Sequence, residues 1–599
     1  MKSDIRVPGE MKNTSIISRL FHRVFVVQIM TQLIGIIGMV VDGMVVGKFL
    51  GEDAMAAYGF TATVTMVIAV CGSVLSMGTT MVCSKHLGEG NIKQIRHSFS
   101  AGFTAALITG SGLFLAAFLF AIPTAKLLGA KDLIVPLTAD YLRGYAIAAP
   151  GVILSAFLLP VMQMDGEMGR LLAAVCAMTV GDIAADILNV TVFHGGMFGM
   201  SLATAFSYLL ALLVLLPHFF KKDIIFIRPS IILDPQTVLQ ILRGGSANAA
   251  TQCGRMLLTF ILNRVLMAYS GSSAVGAHAV ITSMGNLCLV PGSAIADTGQ
   301  MLGGVLCGEE DREGIIQMMK TGLRLCIMIN VPLIIIFQFA ASPMAGMFYR
   351  EGSGSINLVV AGFRLFTLSM VFYSINAMYR CFCQGSGQIR EALILTALDC
   401  LLLPLIAALV LEFTFGVPCF WLYSALGEGV FTVLIFIYFK KINSGASGIE
   451  SVTPFPKNLG ADIEADFEIN ISERKIEQLT VISTEIQNFC LDHGADRRTA
   501  CVMALAAEEA VGNILEYGFT DSKQHYIDVR VLKKKEGWIL RMRDDCRMFD
   551  PIKYLEQYSS DDPAANIGLK MLRDLSTNIV YLSTLNLNNL IITIQENEL

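Results

Sequence analysis

The stretch Val40-Val41-Asp42-Gly43-Met44-Val45-Val46-Gly47 decides how the rest of the chain is interpreted. It lies in an apolar run from Val24 to Leu50, which exceeds the roughly 20 residues that a helix needs to cross a bilayer. An ionised Asp near the centre of such a helix costs about 2.5 to 3.5 kcal/mol, so Asp42 must face protein or water and find a cation or a proton. We therefore predict a membrane helix in which Asp42 is an ion-coupling residue, or else a structural acid hydrogen-bonded to a neighbouring helix.

The composition places most of the chain in a membrane. Of the 599 residues, 54% are hydrophobic and 16% are charged, whereas soluble proteins average about 25% charged residues. Charges are rare before about residue 445 and frequent after it. The net charge of −5 provides no basic field, so we expect membrane lipid around the first part and no nucleic-acid partner.

Apolar runs long enough to span a bilayer occur twelve times in the sequence. They cover approximately residues 24–50, 57–84, 98–122, 137–163, 171–193, 198–220, 237–268, 274–304, 317–341, 357–383, 391–412 and 418–439. Loops after even-numbered runs hold Lys85, Lys93, Lys440 and Lys441. Because basic residues concentrate on the cytoplasmic side, both termini are predicted to be cytoplasmic in a multi-pass protein of the plasma (inner) membrane.

The chain also matches itself at an offset of 220 residues. Gly51 matches Gly271, and Leu87-Gly88-Glu89 falls on Cys307-Gly308-Glu309. This pattern predicts two six-helix repeats, at residues 1–220 and 221–441. Parallel repeats of six spans are a transporter architecture in which the substrate site lies between the two halves.

Buried acids are concentrated in the first repeat. Asp42 falls opposite Leu262, and Asp182 and Asp186 of the fifth run have no acid opposite them. These two acids are four residues apart, so they share a helical face and could line one cavity with Asp42. Clustered acids at low dielectric suit a site that exchanges H⁺ or Na⁺. Each could instead accept a hydrogen bond across helices or lie near a helix end.

Three polar residues of the seventh run are candidates for lining a substrate cavity. Asn248, Gln252 and Arg255 are spaced by three or four residues and would share a helical face. Arg255 could select anionic substrates, but we favour pairing with an acid such as Asp297 or Asp399, because a buried cation needs a partner.

These motifs resemble those of a known transporter family. The stretches Val41–Gly51 and Ala54–Gly59 resemble the first-helix signature of multidrug and toxic compound extrusion (MATE) transporters. Leu87–Asn91 resembles the family's loop between helices two and three, and Asp182-Ile183-Ala184-Ala185-Asp186 resembles its Asn-x-x-x-Asp on the fifth helix. The resemblance, over about residues 15 to 440, implies two lobes around a cleft and efflux of amphipathic compounds driven by Na⁺ or H⁺. Asp182 replaces the usual Asn, which leaves the ion open.

A second module follows the apolar part. Residues 442–471, with Ser-Gly-Ala-Ser-Gly, two prolines and several acids, are predicted to be a linker. Helical patterns follow at 473–518, and alternation typical of strands occurs at 526–532, 538–542, 579–582 and 590–594. We therefore predict a C-terminal α+β domain, an α/β sandwich, at residues 472–599.

Three elements of this domain occur in a suggestive order: Glu509-x-x-x-Asn513, Asp544 to Phe549-Asp550-Pro551, and Gly568-Leu569. Together they resemble the ATP-binding boxes of the histidine-kinase-like ATPase fold, specifically those of anti-sigma-factor serine kinases. The resemblance implies Mg-ATP as cofactor, with Asn513 on the metal and Asp544 on the adenine amino group. It further implies that Phe549 belongs to the nucleotide site and that Gly568 approaches the phosphates.

The same resemblance implies that Glu509 assists phosphoryl transfer to a serine of a partner protein, similar to an anti-sigma-factor antagonist. One position departs from the family pattern, because Cys546 stands where a glycine is expected. A side chain there could crowd the nucleotide and leave a non-catalytic sensor.

The sequence thus predicts an α-helical integral membrane protein of twelve helices fused to an ATPase-like domain. Its predicted function is secondary efflux of small amphipathic substrates with regulation by ATP. One alternative is a membrane-tethered signalling protein, in which the helices serve as the receptor of an anti-sigma-type kinase. A flippase of lipid-linked precursors is the other alternative, and we disfavour it because such proteins usually need several cavity cations.

Overall fold

A computed structural model of the chain describes residues 16–131, 134–221, 224–226, 229–346, 354–471, 478–519, 525–557 and 567–595. The chain divides into two compact units. The membrane unit contains Phe21–Gln163 and Met168–Lys457. The C-terminal unit contains Asn458–Leu599, the short segment Met164–Glu167 and the first twenty residues, each as far as it is described.

The membrane unit is built from helices. They are α1 (Ile16–Val45, which begins in the C-terminal unit), α2 (Glu52–Gly88), α3 (Ile92–Leu119), α4 (Ala121–Leu127), α5 (Ile134–Met164), α6 (Met168–Leu188), α7 (Gly196–Leu215), α8 (Pro235–Tyr269), α9 (Gly271–Cys288), α10 (Val290–Gly308), α11 (Arg312–Gly346), α12 (Gly354–Thr367), α13 (Met370–Gly385), α14 (Ile389–Ala397), α15 (Leu403–Phe415), α16 (Val417–Phe420) and α17 (Tyr423–Ile442). Single π-helical turns extend α1, α6 and α14.

Eight spans in the described residues are long and apolar enough to cross a membrane, or ten if each of two bent helix pairs is one span. The bent pairs are α9 with α10, at 49°, and α12 with α13, at 48°. The two other predicted spans, 237–268 and 418–439, coincide with α8 and α17, which are not among these ten. Eight to ten apolar spans are therefore established, and twelve stays a prediction.

The predicted duplication recurs in the backbone. Gly51 and Gly271, 220 residues apart, both have left-handed φ angles, of +90° and +78°. Gly196 and Gly416, at the same offset, have φ angles of +59° and +71°. Because such angles strain any residue with a Cβ atom, the same turns are specified by glycine in both halves. We call the two predicted halves of the membrane unit the first lobe (21–220) and the second lobe (221–441), and their division into six helices each stays a prediction.

Glycine also brings the two lobes together. Gly78 of α2 packs against the Ile241 carbonyl of α8, and Gly88 of α2 packs against the Val305 carbonyl of α10, with no room for a Cβ atom at either glycine. Small residues at membrane helix interfaces let backbones approach closely and gain packing energy. The second helix of the first lobe therefore joins the two lobes.

The C-terminal unit is an antiparallel sheet covered by helices. Its strands are β1 (Ile463–Ile471), β2 (Ile527–Lys534), β3 (Gly537–Asp544), β4 (Asn578–Thr584) and β5 (Leu587–Ile594), in the order β1-β2-β3-β5-β4. Its helices are α18 (Gln478–Asp492), α19 (Arg497–Asn513), α20 (Pro551–Gln557) and α21 (Ile567–Leu575). Ile486, Val511, Trp538 and Ile592 are fully buried in the core that the sheet and the helices share.

The four predicted strands coincide with β2 to β5, but β1 lies inside the predicted linker, 442–471. In the sequence Ile-Glu-Ala-Asp-Phe-Glu-Ile-Asn-Ile every second residue of β1 is exposed, and it carries the charges. The strand therefore pairs with β2 at the sheet edge and turns its acids to solvent. The predicted first residue of the domain, 472, lies outside the described residues.

The first part of the predicted linker belongs to the membrane unit. Glu450 Oε1 accepts a hydrogen bond from Arg312 Nη2 at 2.9 Å, and the Arg312 guanidinium lies 4.0 Å from the ring centre of Phe455. Tyr379 donates to the Val452 carbonyl at 3.0 Å. This segment is therefore held against the second lobe by specific contacts.

Candidate functional site

The three acids predicted as ion-coupling residues come together in the first lobe. Asp42 lies near the end of α1, within hydrogen-bonding reach of the Asp186 carboxyl on α6. Asp182, one turn earlier on α6, lies within reach of the Ser207 and Thr204 hydroxyls on α7. Asp186 is buried, and Asp42 and Asp182 are partly buried. The acids thus face the interior of the lobe.

Several carboxylate oxygens in this cluster lack a donor. Among the described residues, Asp42 Oδ1, Asp182 Oδ1 and both oxygens of Asp186 are buried without a hydrogen-bond partner. Two ionised carboxylates cannot remain in contact at low dielectric, so the Asp42–Asp186 pair must share a proton or hold a cation. The donor set, which consists of carboxylate and hydroxyl oxygens, fits either H⁺ or Na⁺.

Tyrosines that the sequence analysis missed surround the acids. Tyr58, Tyr141, Tyr145 and Tyr208 all lie close enough to interact electrostatically with Asp42. The Tyr58 and Tyr141 rings meet edge to face at 5.6 Å. A phenol packs like an apolar ring yet offers a hydroxyl, so these side chains can solvate an ion inside the lobe. In the sequence, the signal for this site was the spacing of Tyr141 and Tyr145, which are four residues apart within one apolar run.

In the second lobe, the favoured partners of Arg255 are wrong. Arg255 Nη2 donates to the Tyr373 hydroxyl at 3.0 Å, and its guanidinium lies 5.2 Å from the centre of that ring. Asp399 pairs instead with Arg380, and Asp297 accepts a hydrogen bond from Gln32 of the first lobe at 2.9 Å. Which acid meets which base depends on how the helices are rotated and shifted against one another, and no single helix pattern specifies that.

Asn248 and Gln252 share α8 with Arg255, and all three are partly buried. Their predicted role in the substrate cavity stays a prediction.

A buried ionic network in the second lobe was also missed. Arg380 Nε lies 2.6 Å from Asp399 Oδ2, with both side chains almost fully buried. Asp399 in turn lies within hydrogen-bonding reach of Glu428, whose Oε2 accepts from Asn376 Nδ2 at 2.7 Å. The signal was similar to that for Asp42, because Glu428 is the one charged residue in the apolar run 418–439 and Arg380 shares the run 357–383 with Arg364 alone.

Replacing Arg380 by Met is expected to destabilise the protein by about 3 to 5 kcal/mol, because it leaves Asp399 charged and buried without its partner. The measurement is the midpoint of thermal unfolding in detergent. Arg264→Met on α8 is the control, since Arg264 is exposed and stacks only on Phe260 among the described residues. Equal shifts for the two variants would contradict the prediction, and Arg380→Met combined with Asp399→Leu should recover stability.

In the C-terminal unit, the predicted nucleotide residues of α19 and α21 meet. Asn513 Nδ2 donates to Glu509 Oε1 at 2.9 Å, so the pair shares one face of α19. Gly568 of α21 lies directly against the Glu509 carboxylate and leaves no room for a Cβ atom. Carboxylate and amide oxygens are ligands that Mg²⁺ accepts. The donor set therefore fits the predicted metal site of Mg-ATP, which would supply a phosphoryl group when bound.

Asp544 ends β3 and is 5% exposed. Its Oδ1 accepts from Asn588 Nδ2 at 2.7 Å and from the Cys546 N–H at 2.9 Å. Burial raises the pKa of Asp544 from 3.8 to about 6. Asn588, which the sequence analysis missed, positions this carboxylate. Phe549, the other predicted nucleotide residue of the loop, is 39% exposed and its ring lies 5.4 Å from that of Tyr554.

Cys546, which the sequence predicts to crowd the nucleotide, lies beside Gly518, and the crowding itself stays a prediction. A Cβ atom built on Gly518 would lie 3.0 Å from Cys546 Cβ and 3.2 Å from its Sγ. The thiol side chain therefore lies beside the missing Cβ of Gly518, at the end of the turn that follows α19. This contact also brings the Asp544 loop close to the helix that carries Asn513.

A bundle of long apolar helices with acids in its interior defines a multi-pass membrane transporter. The chain belongs to the MatE family, whose model matches residues 28–188 and 248–410. The two matched segments fall in the first and the second lobe. The resemblance to MATE transporters is thereby confirmed, whereas the ATPase-like part of the expectation stays a prediction.

Individual relatives are distant. The chain is 20% identical to the probable multidrug resistance protein YoeA of Bacillus subtilis, over 53% of this chain and 70% of that protein. It is 29% identical to an FAD transporter of Shewanella oneidensis, over 27% of this chain and 37% of that protein. It is 25% identical to the multidrug export protein MepA of Staphylococcus saprophyticus, over 39% of this chain and 52% of that protein.

Solved structures share the fold of the membrane part. An outward-facing MATE family multidrug resistance transporter matches with a TM-score of 0.67 and 19% identity, over 71% of this chain and 95% of that one. The Vibrio cholerae MATE transporter VcmN, in a mutant form, matches with a TM-score of 0.67 and 17% identity, over 73% and 99%. A MOP superfamily transporter from Pyrococcus furiosus matches with a TM-score of 0.66 and 19% identity, over 72% and 97%.

Proposed function

We propose that the protein is a secondary antiporter that exports small amphipathic compounds in exchange for H⁺ or Na⁺. The observation that carries this proposal is the contact between Asp42 and Asp186 beside Asp182 inside the first lobe. A carboxyl pair that must gain or lose a cation changes its charge with each exchange. Such a change can bias the two lobes between alternative arrangements, because a ligand shifts an equilibrium by its differential affinity for the two states.

The two-lobe architecture supports the same proposal. Parallel six-helix repeats place a substrate site between the halves. Here α2 of the first lobe packs against α8 and α10 of the second lobe. In the proposed topology twelve helices cross the plasma membrane and both termini are cytoplasmic. Lys85 and Lys93 near the end of α2, and Lys440 and Lys441 at the end of α17, would then face the cytoplasm.

The substrates are proposed from chemistry and from the relatives. YoeA and MepA are named as multidrug proteins, and a third relative is named as an FAD transporter. We propose aromatic amphipathic compounds as the substrate class. Asn248, Gln252 and Arg255 on α8 are proposed to contact them, with Asn248 and Gln252 supplying hydrogen bonds.

We further propose that the C-terminal unit binds Mg-ATP and regulates the transporter, or phosphorylates a serine of a partner protein. The grouping of Glu509, Asn513 and Gly568 supports this proposal, as does the buried carboxylate of Asp544. In the proposed site Asn513 holds Mg²⁺, Asp544 accepts from the adenine amino group, and Glu509 orients the attacking hydroxyl.

Flux into reconstituted vesicles tests the proposed transport. An amphipathic fluorescent dye is offered to vesicles under an imposed H⁺ or Na⁺ gradient, each with and without the matching ionophore. Dye movement against its own gradient that stops when the ion gradient is dissipated is the expected result. Dye movement that is independent of both ion gradients would overturn antiport. Absence of any dye flux would favour the signalling alternative.

The pH dependence of nucleotide affinity tests the proposed role of Asp544. Because the pKa of Asp544 is raised to about 6, the group is mostly protonated at pH 5, and a neutral carboxyl oxygen accepts from the adenine amino group more weakly than a carboxylate does. Affinity relative to the Asp544→Asn variant is expected to rise by up to about tenfold from pH 5 to pH 7. Taking the ratio cancels the titration of the nucleotide itself. A ratio that stays flat over this range would contradict the assignment.

A further inference from the structure

Arg255 carries a positive charge that no neighbouring acid balances. Within the described part of the chain its polar contact is the Tyr373 hydroxyl, and the titratable groups near it are Tyr373, Cys400 and Arg380. A guanidinium offers five N–H donors in a planar fork. Most of the Arg255 fork is therefore unengaged by protein.

The acids of the second lobe do not supply the missing charge. Asp399 pairs with Arg380 at 2.6 Å and also reaches the Glu428 carboxyl. Two carboxyls in contact share a proton, so the pair carries one negative charge. Arg380 balances that charge, and Arg255 remains in excess.

Arg255 faces the inside of the lobe. It lies about 30 Å along α8, at 1.5 Å per residue, and its side chain turns toward Tyr373 of α13. One turn earlier on the same helix, Thr251 accepts a hydrogen bond from Arg380 Nη1 at 3.1 Å. Arg255 is partly buried.

We propose that Arg255 and Tyr373 form a binding site for the anionic group of an aromatic substrate. The guanidinium fork matches the two oxygens of a carboxylate or a phosphate, and aromatic substrate rings can pack beside the tyrosine. This inference rests on the proposed transport function and narrows its substrate class to amphipathic anions.

The test uses one fluorescent aromatic scaffold in four forms: carboxylate, phosphate monoester, neutral methyl ester and quaternary ammonium. Flux of each form is measured in vesicles that contain the full chain. The anionic forms are expected to have KM values about tenfold or more below that of the ester, and Arg255→Gln should remove this preference. Comparing the carboxylate with the phosphate identifies the preferred oxyanion. Arg264→Gln, an exposed arginine of the same helix, is the matched control.

Preference for the quaternary ammonium form, or an anion preference that survives in Arg255→Gln, would overturn the anion site. If none of the four forms moves with an ion gradient, the proposed transport itself fails and the anion site fails with it. If Arg255→Gln proves unstable, Arg255→Lys takes its place in the test. Because this variant keeps the charge but lacks the fork, it is expected to show a reduced preference for the anionic forms.

A second inference rests on contacts inside the C-terminal unit, to which the start of α1 belongs. Arg19 Nη1 lies 3.4 Å from Asp545 Oδ2, and the guanidinium lies 4.5 Å from the centre of the Tyr526 ring. The Tyr526 N–H donates to Asp545 Oδ1 at 2.8 Å. Asp545, the residue after Asp544, thus contacts α1 near its beginning.

The segment before α6 is held in the same unit. The Leu585 N–H donates to the Met164 carbonyl at 3.0 Å, and a Cβ atom on Gly166 would lie 2.9 Å from the backbone nitrogen of Asn586. Leu585 and Asn586 form the turn between β4 and β5, with φ angles of 55° and 59°. Leu585 has a left-handed conformation, which disfavours leucine, and its side chain is buried, at 2% exposed. The turn is therefore packed against protein.

We infer that the C-terminal unit, by holding the start of α1 and the segment Met164–Glu167 that leads into α6, makes the transport rate depend on nucleotide at Asp544. A nucleotide bound to Asp544 would order the adjoining Asp545, which contacts Arg19. The covalent continuity of α1 and α6 carries the effect to Asp42 and Asp186. This inference rests on both parts of the proposed function.

Flux and nucleotide binding are measured together in vesicles that contain the full chain. Mg²⁺ and a non-hydrolysable ATP analogue are supplied on both sides. The analogue is expected to change the initial rate about fivefold or more in the wild type and in Arg23→Ala. The change should be lost in Arg19→Ala, which should still bind the analogue and transport without it.

Bound analogue without any change of flux, or a change that persists in Arg19→Ala, would overturn the coupling. Failure to bind the analogue refutes the nucleotide site, and absence of flux refutes transport. The coupling falls in either case, and the two readouts show which part of the proposed function has failed.

Discussion

Asp42→Asn is expected to abolish gradient-driven transport, with a loss of about a hundredfold in the initial rate under an imposed ion gradient. The amide has nearly the shape of the carboxyl but can neither release a proton nor carry the charge that holds Na⁺. Its Nδ2 can donate to Asp186, which stays buried beside it. The fold should therefore persist while the charge change that drives exchange disappears.

The measurement is uptake of dye into vesicles with equal amounts of reconstituted protein. Asp53→Asn is the matched control, because Asp53 is an exposed acid near the start of α2 and should transport as the wild type does. Downhill exchange of labelled for unlabelled dye should survive in Asp42→Asn, since it needs no net ion movement. Retained uphill transport in Asp42→Asn would refute the assignment of Asp42, and loss of downhill exchange as well would indicate misfolding.

The acid cluster was predictable because its signal is a solvation cost. A carboxylate in an apolar run must be solvated by something wherever the neighbouring helices lie, so Asp42, Asp182 and Asp186 stand out in the sequence alone. The same reasoning applies to Arg380 and Glu428, which also lie in apolar runs. The hydrogen-bonding partners of such buried charges cannot be predicted in this way. Arg255 meets Tyr373 across 118 positions, and that contact depends on how two helices pack together.

The number of membrane spans was likewise only partly predictable from the sequence. Runs of apolar residues locate spans, but hydrophobicity alone does not show the break between α9 and α10, which Pro291 in the first turn of α10 marks. In the C-terminal unit, period-two alternation located β2 to β5. The acids on the exposed face of β1 gave that strand the composition of a linker, although its alternation of Ile463, Ala465, Phe467, Ile469 and Ile471 was present. Composition misled where periodicity would have been correct.

Asn513→Ala is expected to weaken Mg²⁺-dependent ATP binding by about 10- to 100-fold, the usual cost of disturbing a metal site. Asn513 has its amide nitrogen bound to Glu509 Oε1 at 2.9 Å, so its carbonyl oxygen is the group that can face a metal. Loss of the side chain removes that oxygen and frees Glu509 to turn away. Glu509→Gln should instead keep binding and lose any phosphoryl transfer, because a neutral amide cannot take up a proton.

Binding of a fluorescent ATP analogue to the full chain, with and without Mg²⁺, measures this effect. Asn470→Ala is a close control, because Asn470 on exposed β1 donates to Glu468 Oε1 at 3.0 Å and reproduces the same pair away from the site. Equal affinity in Asn513→Ala and Asn470→Ala would remove Asn513 from the metal site. Failure of the wild type to bind, followed by binding in Cys546→Gly, would show instead that the thiol blocks the nucleotide despite the space beside Gly518. The two residues thus separate a wrong metal ligand from an obstructed pocket, which a single loss-of-binding variant cannot do.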